Sequence, residues 1–349
     1  VFLNLGKRNL RTALFAGVAA AALVLSACGS SSSGGKSSDG GKIIVGLAYD
    51  IGGRGDQSFN DSAAAGLDKA EKEFGFKAKE AEATFGETND AKAERLRQLA
   101  DEGANPIIAV GFAYATPLKT VAAEYPKVHF AIIDSTDVTA PNISNLVFAE
   151  NEGSFLVGVI AGLKTKTNNV GFVGGVQTPL IQKFQAGYQA GVKAANPAAK
   201  VQVAYISQPP DFSGFGDAIN GEKVAKGQFD NGADIIFQAA GGSGGGVFKA
   251  AKAAGALAIG VDSDQYNTAD SAVRDVIISS MLKRVDTAVY DFLKKEKDGA
   301  FTAGTTTYDL KSDGVGYSTT GGKVDDIKSK VDAYKQQIID GKITVPTAP

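Results

Sequence analysis

From Lys42 onward, short and nearly unbroken apolar runs alternate with stretches of helical periodicity, separated by brief polar turns. This alternation constrains the fold more than any single residue does. The run Ile43 to Tyr49 (IIVGLAY) is apolar at almost every position, as a strand buried on both faces must be. The stretch Ser58 to Phe74 places Ala64, Leu67, Ala70 and Phe74 on one helical stripe, with Ser58 or Asn60 as N-cap. The spacing predicts further strands at 77–83, 106–110 and 129–133, and helices near 88–103 and 115–125. A strand–helix series with short loops folds as a parallel sheet covered by helices on both faces.

A second series follows the polar stretch 134–145. Strands are expected at 143–149, 169–173, 200–205, 234–238, 257–261 and 276–280. Helices are expected at 153–164, 179–195, 218–231, 245–254, 284–297 and 323–340. The expected fold class is therefore α/β, with two doubly wound parallel-sheet lobes. We assign 42–149 plus 266–300 to lobe 1 and 150–265 plus 301–345 to lobe 2. Ligands of such sheets sit beyond the carboxyl ends of the strands. Two facing lobes make a cleft that hinge motion closes.

The first 41 residues read differently. Lys7, Arg8 and Arg11 precede a 14-residue apolar run, Thr12 to Leu25, and no acidic residue occurs before Asp39. The run is short for a membrane-spanning helix and suits the apolar region of a signal peptide, assigned to 1–27. It ends in Leu25-Ser26-Ala27-Cys28, which resembles a bacterial lipobox, with Cys28 as the acylated residue. Residues 28–41 would then be the lipidated Cys and a flexible Gly/Ser tether. The expectation is a body anchored to the membrane on the extracytoplasmic face, not crossing it.

Composition narrows the chemistry. The chain carries 36 basic and 38 acidic residues, so it lacks the basic surplus of a nucleic-acid binder. It has one Cys and one His, which excludes an internal disulfide, a cysteine metal cluster and any site that needs two imidazoles. No metal or cofactor is expected. Gly241-Gly242-Ser243-Gly244-Gly245 fits the spacing of a hydrolase nucleophile elbow, but such a site needs a later His and the sole His is His129. We read His129 as a residue flanking a buried strand.

Polar residues and glycines collect where the predicted strands end. After Tyr49 comes a loop, Asp50 to Asp61, with three Gly, and Phe59 stands at the helix start among hydrogen-bonding groups. Phe59 is either an aromatic wall of a ligand site or a packing residue of the helix entry. After Phe237 comes a Gly-rich turn that lets backbone N–H groups approach a ligand. After Val261 come Asp262 and Asp264, two carboxylates that suit the hydroxyls of a polyol such as ribose. Lys283 follows another apolar run and is either a ligand donor or a solvated charge. Phe112 and Tyr114 line the cleft or pack in the core.

Taken in order, these blocks resemble one family. The lipobox, Asp50-…-Gly53-…-Asp56-…-Ser58-Phe59-Asn60, Ala239-Ala240-Gly241-Gly242-…-Gly246-Val247-Phe248 and Gly260-Val261-Asp262-Ser263-Asp264-Gln265 are similar to the basic membrane protein (BMP) family. These are substrate-binding lipoproteins of ABC importers, and the resemblance covers residues 42–345. It implies a type I periplasmic-binding-protein fold with three chain crossings. It also implies a purine nucleoside ligand, a permease partner, a monomer and no enzymatic activity. In nucleoside receptors of this family the base lies between two Phe rings, one per lobe. The resemblance places Phe59 as the first ring and Phe237 as the second. It places Asp50 and Asn60 near the base, Asp262 on the ribose hydroxyls with Gly242 offering backbone contact, and Lys283 in the same site. Arg54 departs from the pattern and adds a positive charge in the loop. The alternatives kept open are a sugar or other small polar solute on the same fold, a ligand sensor without transport, and a nucleoside hydrolase.

Overall fold

The computed structural model describes residues 42–349; the expected signal peptide, Cys28 and the Gly/Ser tether lie outside the described residues. The chain opens with β1 (Ile44–Ala48), α1 (Phe59–Phe74), β2 (Lys77–Ala81), α2 (Asn89–Asp101), β3 (Ile107–Ala109), α3 (Ala115–Glu124), β4 (Phe130–Ile133) and β5 (Ile143–Phe148). It then crosses to a second lobe made of α4 (Glu150–Lys164), β6 (Asn169–Val176), α5 (Pro179–Ala195), β7 (Lys200–Ser207), α6 (Ala218–Asp230), β8 (Ile235–Ala239), α7 (Gly244–Ala254), β9 (Leu257–Asp262), the single turn α8 (Gln265–Thr268) and β10 (Ile277–Lys283). It ends with α9 (Val285–Lys297), β11 (Gly304–Tyr308), β12 (Val315–Tyr317) and α10 (Lys328–Ile339).

Two six-stranded sheets result, ordered β11-β5-β4-β3-β1-β2 and β12-β10-β9-β8-β6-β7. The first is parallel throughout, and the second is parallel except for β12, which runs antiparallel to β10. Central strands such as β1, β3 and β8 are buried on both faces, which their unbroken apolar runs required. The edge strands β2 and β7 mix polar with apolar residues and are partly exposed. In each sheet the strand order reverses beside the first strand, between β1 and β3 and between β6 and β8. That reversal leaves a crevice at the carboxyl ends of the strands.

The lobe boundaries differ from the sequence expectation in two places. Residues 266–283 belong to the second lobe, because β10 pairs along β9; the first lobe receives α9, which packs on α1. Residues 304–308 belong to the first lobe, because β11 pairs in parallel with β5. The chain therefore crosses between the lobes at Phe148–Glu150, at Lys283–Val285 and between Tyr308 and Val315. Among the described residues, no helix is long and apolar enough to cross a membrane.

Candidate functional site

A cavity lies where the carboxyl ends of both sheets meet. Its walls include Asp50, Asp56, Phe59 and Phe112 beyond β1 and β3, and Asp134 beyond β4. The second lobe contributes Phe184 from α5, Phe215, Gly241, Asp262 from the end of β9 and Lys283 from the end of β10. The free volume is about 540 Å³ counting the mouth, and its interior is narrow. Between Phe59, Phe184 and Lys283 the lobes leave little free space, and a ligand of several rings seats there only as they move apart.

Local structure explains how each group is aimed. Asp56 does the capping of α1: its carboxylate accepts from the backbone N–H of Ser58, Asn60 and Asp61 at 2.9, 2.9 and 3.1 Å. This satisfies donors that a helix start leaves free. The N-cap residue Ser58 is thereby released, and its side chain makes no cap bond. Its hydroxyl instead donates across the cleft to Asp262 Oδ2 at 2.7 Å. Phe59, one residue on, then faces the cavity. Asp134 and Asp262 both end their strands in the left-handed region, with φ of 67° and 61°. Such conformations cost of order 1 kcal/mol or more in a non-glycine residue and concentrate at functional sites.

The electrostatics are lopsided. Lys283 is buried and donates to Asp134 Oδ2 at 2.5 Å, with Glu150 Oε1 at 3.6 Å. Burial alone would lower its pKa, but the carboxylates of Asp134, Glu150 and Asp262 outweigh it and hold the ammonium charged. The same ammonium stands 4.9 Å from the Phe59 ring centre and 5.7 Å from that of Phe184, so one ring from each lobe flanks it. Against this one cation stand four carboxylates in the cavity wall. Burial pushes Asp50 and Asp262 up to about 6, although Lys283 and Ser58 pull Asp262 the other way. Glu150, at the start of α4, is likewise raised by burial, with Lys283 opposing. Asp134 Oδ1 is buried without a hydrogen-bond partner. Asp50 Oδ1 accepts from the Ile51 N–H at 2.8 Å, while Oδ2 packs against bare Gly111. The cavity therefore offers acceptors to a donor-rich ligand between aromatic rings. Among the described residues, no group of three or more His, Cys, Asp or Glu is arranged to hold a metal.

Five of the seven candidate residues named from sequence meet here or hold the site from behind. Asp50, Phe59, Asn60, Asp262 and Lys283 all border the cavity. Asn60 does so with its side chain already committed: Oδ1 accepts from the Asp50 N–H, and Nδ2 donates to Asp56 and to Ile51 O. Phe237 does not reach the cavity. It is fully buried inside β8, with Phe172 edge-on at 5.7 Å and Tyr188 at 5.2 Å, because its position on the strand points into the core. The second-lobe rings are Phe184 and Phe215. Gly242 is also off the cavity wall, which its neighbour Gly241 forms; Gly241 has φ 55° and lies against the Phe215 carbonyl. Asp264 turns away and accepts from the hydroxyls of Ser318, at 2.8 Å, and Thr320, leaving one carboxylate of the pair in the site.

Other open readings resolve. Arg54 points outward to Glu80 at 2.7 Å and Asp68, away from the cavity. His129 stacks on Phe301 at 3.9 Å and contacts Glu296, at the end of β4 opposite to Asp134. Tyr114 is a core residue whose hydroxyl donates to Tyr49 O at 2.8 Å. Phe112 lines the cavity. Two residues had no distinguishing signal in sequence: Asp134, a lone acid after a strand, and Glu150, hidden in a helix start.

Comparison with known proteins agrees with this architecture. The family model described as "ABC transporter substrate-binding protein PnrA-like" matches residues 43–348. A protein of Listeria monocytogenes named CD4+ T-cell-stimulating antigen is 38% identical, over 98% of this chain and 99% of its own length. A Lactococcus lactis protein named ABC transporter nucleoside-binding protein BmpA is 36% identical, over 86% of this chain and 88% of its own. A solved structure of an ABC transporter solute-binding protein from Aeropyrum pernix K1 superposes with a TM-score of 0.76 at 29% identity, over 87% of this chain and 93% of that one. A family match along the whole described body, joined to a two-lobed fold with its cavity at the strand ends, shows that the chain belongs to the PnrA-like family of ABC transporter substrate-binding proteins.

Proposed function

We propose that this protein is a lipid-anchored, extracytoplasmic receptor that captures a purine nucleoside between its lobes and delivers it to an ABC importer. The observation that carries the reading is the pairing of aromatic rings from opposite lobes, Phe59 and Phe184, with wall carboxylates, of which Asp134 keeps a buried Oδ1 without a partner. A planar base stacks on rings, at ~1–3 kcal/mol per contact in nucleic-acid binders. Ribose hydroxyls and base N–H groups supply the donors that Asp262, Asp134 and Asp50 lack. Ser58 and Lys283 hold the first two of these carboxylates in place. Lobe closure is the signal the transporter reads, and no bond of the ligand is broken. The anchor is Cys28, at the end of the apolar leader.

The test is calorimetric titration of the full-length protein, unfolded and refolded to strip co-purified ligand, with inosine, hypoxanthine and ribose. The expected result is 1:1 binding of inosine at micromolar Kd or tighter, with both fragments far weaker. Asp262→Ala is expected to weaken inosine by about tenfold, the loss of one charge-assisted hydrogen bond, and to leave hypoxanthine little changed. Failure of folded protein to bind inosine overturns the nucleoside reading.

A further inference from the structure

The ligand cavity is not closed on every side. A second, wider cavity begins at Ile51 and Phe112, which form walls of both. It too lies between the lobes. Lobe 1 gives Phe85, Glu87, Lys92, Lys119 and Asp137; lobe 2 gives Asp211, Phe212 and Ser213. Three phenyl rings surround it. Phe112 and Phe212 approach from opposite lobes to 6.0 Å. Phe85 is 56% exposed, an unusual condition for a ring that has neighbours to bury it, and its edge rests on bare Gly216 of the other lobe. The charges on the walls, Lys92 and Lys119 against Glu87, Asp137 and Asp211, nearly balance, and Lys92 is paired with Glu87 at 3.2 Å. Such a chamber favours a neutral planar group over an ion.

We infer that this chamber is a second subsite, which takes an aromatic substituent carried on the base edge of the ligand. The inference rests on the nucleoside reading, which puts the base edge beside Asp50. Ile51 and Phe112 are the next residues along the walls, so a group attached there passes between them into the chamber while the ribose stays with Asp262 and Lys283. The protein would thus accept nucleosides enlarged at the base as well as plain ones. Enlargement at the ribose would meet the packed cluster of Lys283, Asp134 and Glu150 and be refused.

The experiment compares adenosine with N6-benzyladenosine, which keeps one exocyclic N–H for Asp50, on the full-length protein and on the Phe85→Ala/Phe212→Ala double variant. The expected result is affinity for the benzyl compound within about fivefold of adenosine in the parent. In the variant the benzyl compound is expected to weaken by about tenfold or more, the loss of two ring contacts, and adenosine by less than twofold. Retained adenosine binding shows that the variant is folded. Rejection of the benzyl compound by a parent that binds adenosine overturns the subsite alone, as does equal weakening of both ligands in the variant. Failure of the parent to bind adenosine, inosine or the benzyl compound overturns the nucleoside reading and the subsite with it.

Discussion

Two phenylalanines separate packing from recognition at the residue scale. Phe237 is sealed against Phe172 and Tyr188 inside the second sheet, and Phe184 stands on the cavity wall one helix away. Removing a buried ring leaves a void and costs ~3–5 kcal/mol. Removing a ring that stacks on a ligand forfeits ~1–3 kcal/mol of binding instead. We expect Phe237→Ala to lower the urea midpoint strongly, with the affinity of the folded fraction kept within about threefold. Phe184 is also buried, yet it borders the cavity, so we expect Phe184→Ala to weaken inosine by about tenfold or more in the folded fraction and to lower stability as well. Urea titration and calorimetry on both variants check this, and unchanged inosine affinity in folded Phe184→Ala would make Phe184 a packing residue alone. Ser58 belongs to the same scale. Its hydroxyl could have capped α1, but Asp56 performs that task, so Ser58 is free to hold Asp262 from the opposite lobe.

Phe184 takes its position from an element, the helix pair α4 and α5. Gly187 and Gly191 of α5 lie on the backbone of α4: a Cβ on Gly191 would come within 2.0 Å of Phe155 O, and one on Gly187 within 2.1 Å of Asn151 O. Bare glycine lets the two helices touch, and this contact fixes Phe184 on α5 relative to Glu150 at the start of α4. Gly191→Val must push the helices apart, and overpacking of this kind typically costs ~1–3 kcal/mol. The expected outcome is a lower Tm together with weaker ligand binding; a Tm within about 1 °C of the parent would mean the contact is not tight. Elements with strong periodicity were legible in the sequence, and α5 and α7 begin and end within a residue of their expected bounds. β11 (GTTTY) and β12 (VGY) were not, because short polar strands at a sheet edge carry no apolar run. Missing β11 is what put residues 304–308 in the wrong lobe; β10 was expected as a strand, but its pairing with β9 was not legible. Phe184 was illegible for the opposite reason: with Ile181 and Tyr188 it forms an apolar stripe at helical spacing, and a stripe reads as core. The usable hint was its place, within two turns of a helix start that follows the carboxyl end of β6.

The closed state of the whole molecule is held by the start of α1 against the turn after β9. Besides Ser58 to Asp262, the hydroxyl of Ser263 donates to Ser58 O at 2.9 Å, and Gln265 Nε2 and Thr268 Oγ1 donate to Gln57 O at 3.0 and 3.1 Å. The carboxylates enclosed by that closure make stability and affinity respond to pH in opposite directions. Burial holds Asp50 and Asp262 at about 6, above the ~4 of an unfolded chain. Between those values the folded state binds more protons than the unfolded state, so their contribution to stability falls as pH rises. It is most favourable below about 4, and the cost of burying the two charges is fully present above about 6. Glu87 does not mask this: burial would raise it, but Arg95 and Lys92 hold it at about 2, so its contribution is lost only as pH falls below about 4.5. Ligand hydroxyls and N–H groups, in contrast, need ionised acceptors, and each protonated carboxylate weakens binding by up to about tenfold per pH unit below 6. From pH 7 to pH 5 we therefore expect the Tm of the ligand-free protein to rise while the increment added by a fixed inosine concentration shrinks. Thermal melts at pH 5, 6 and 7 with and without inosine measure both trends. An increment that stays constant across that range would mean that Asp50 and Asp262 are not the acceptors that hold the ligand.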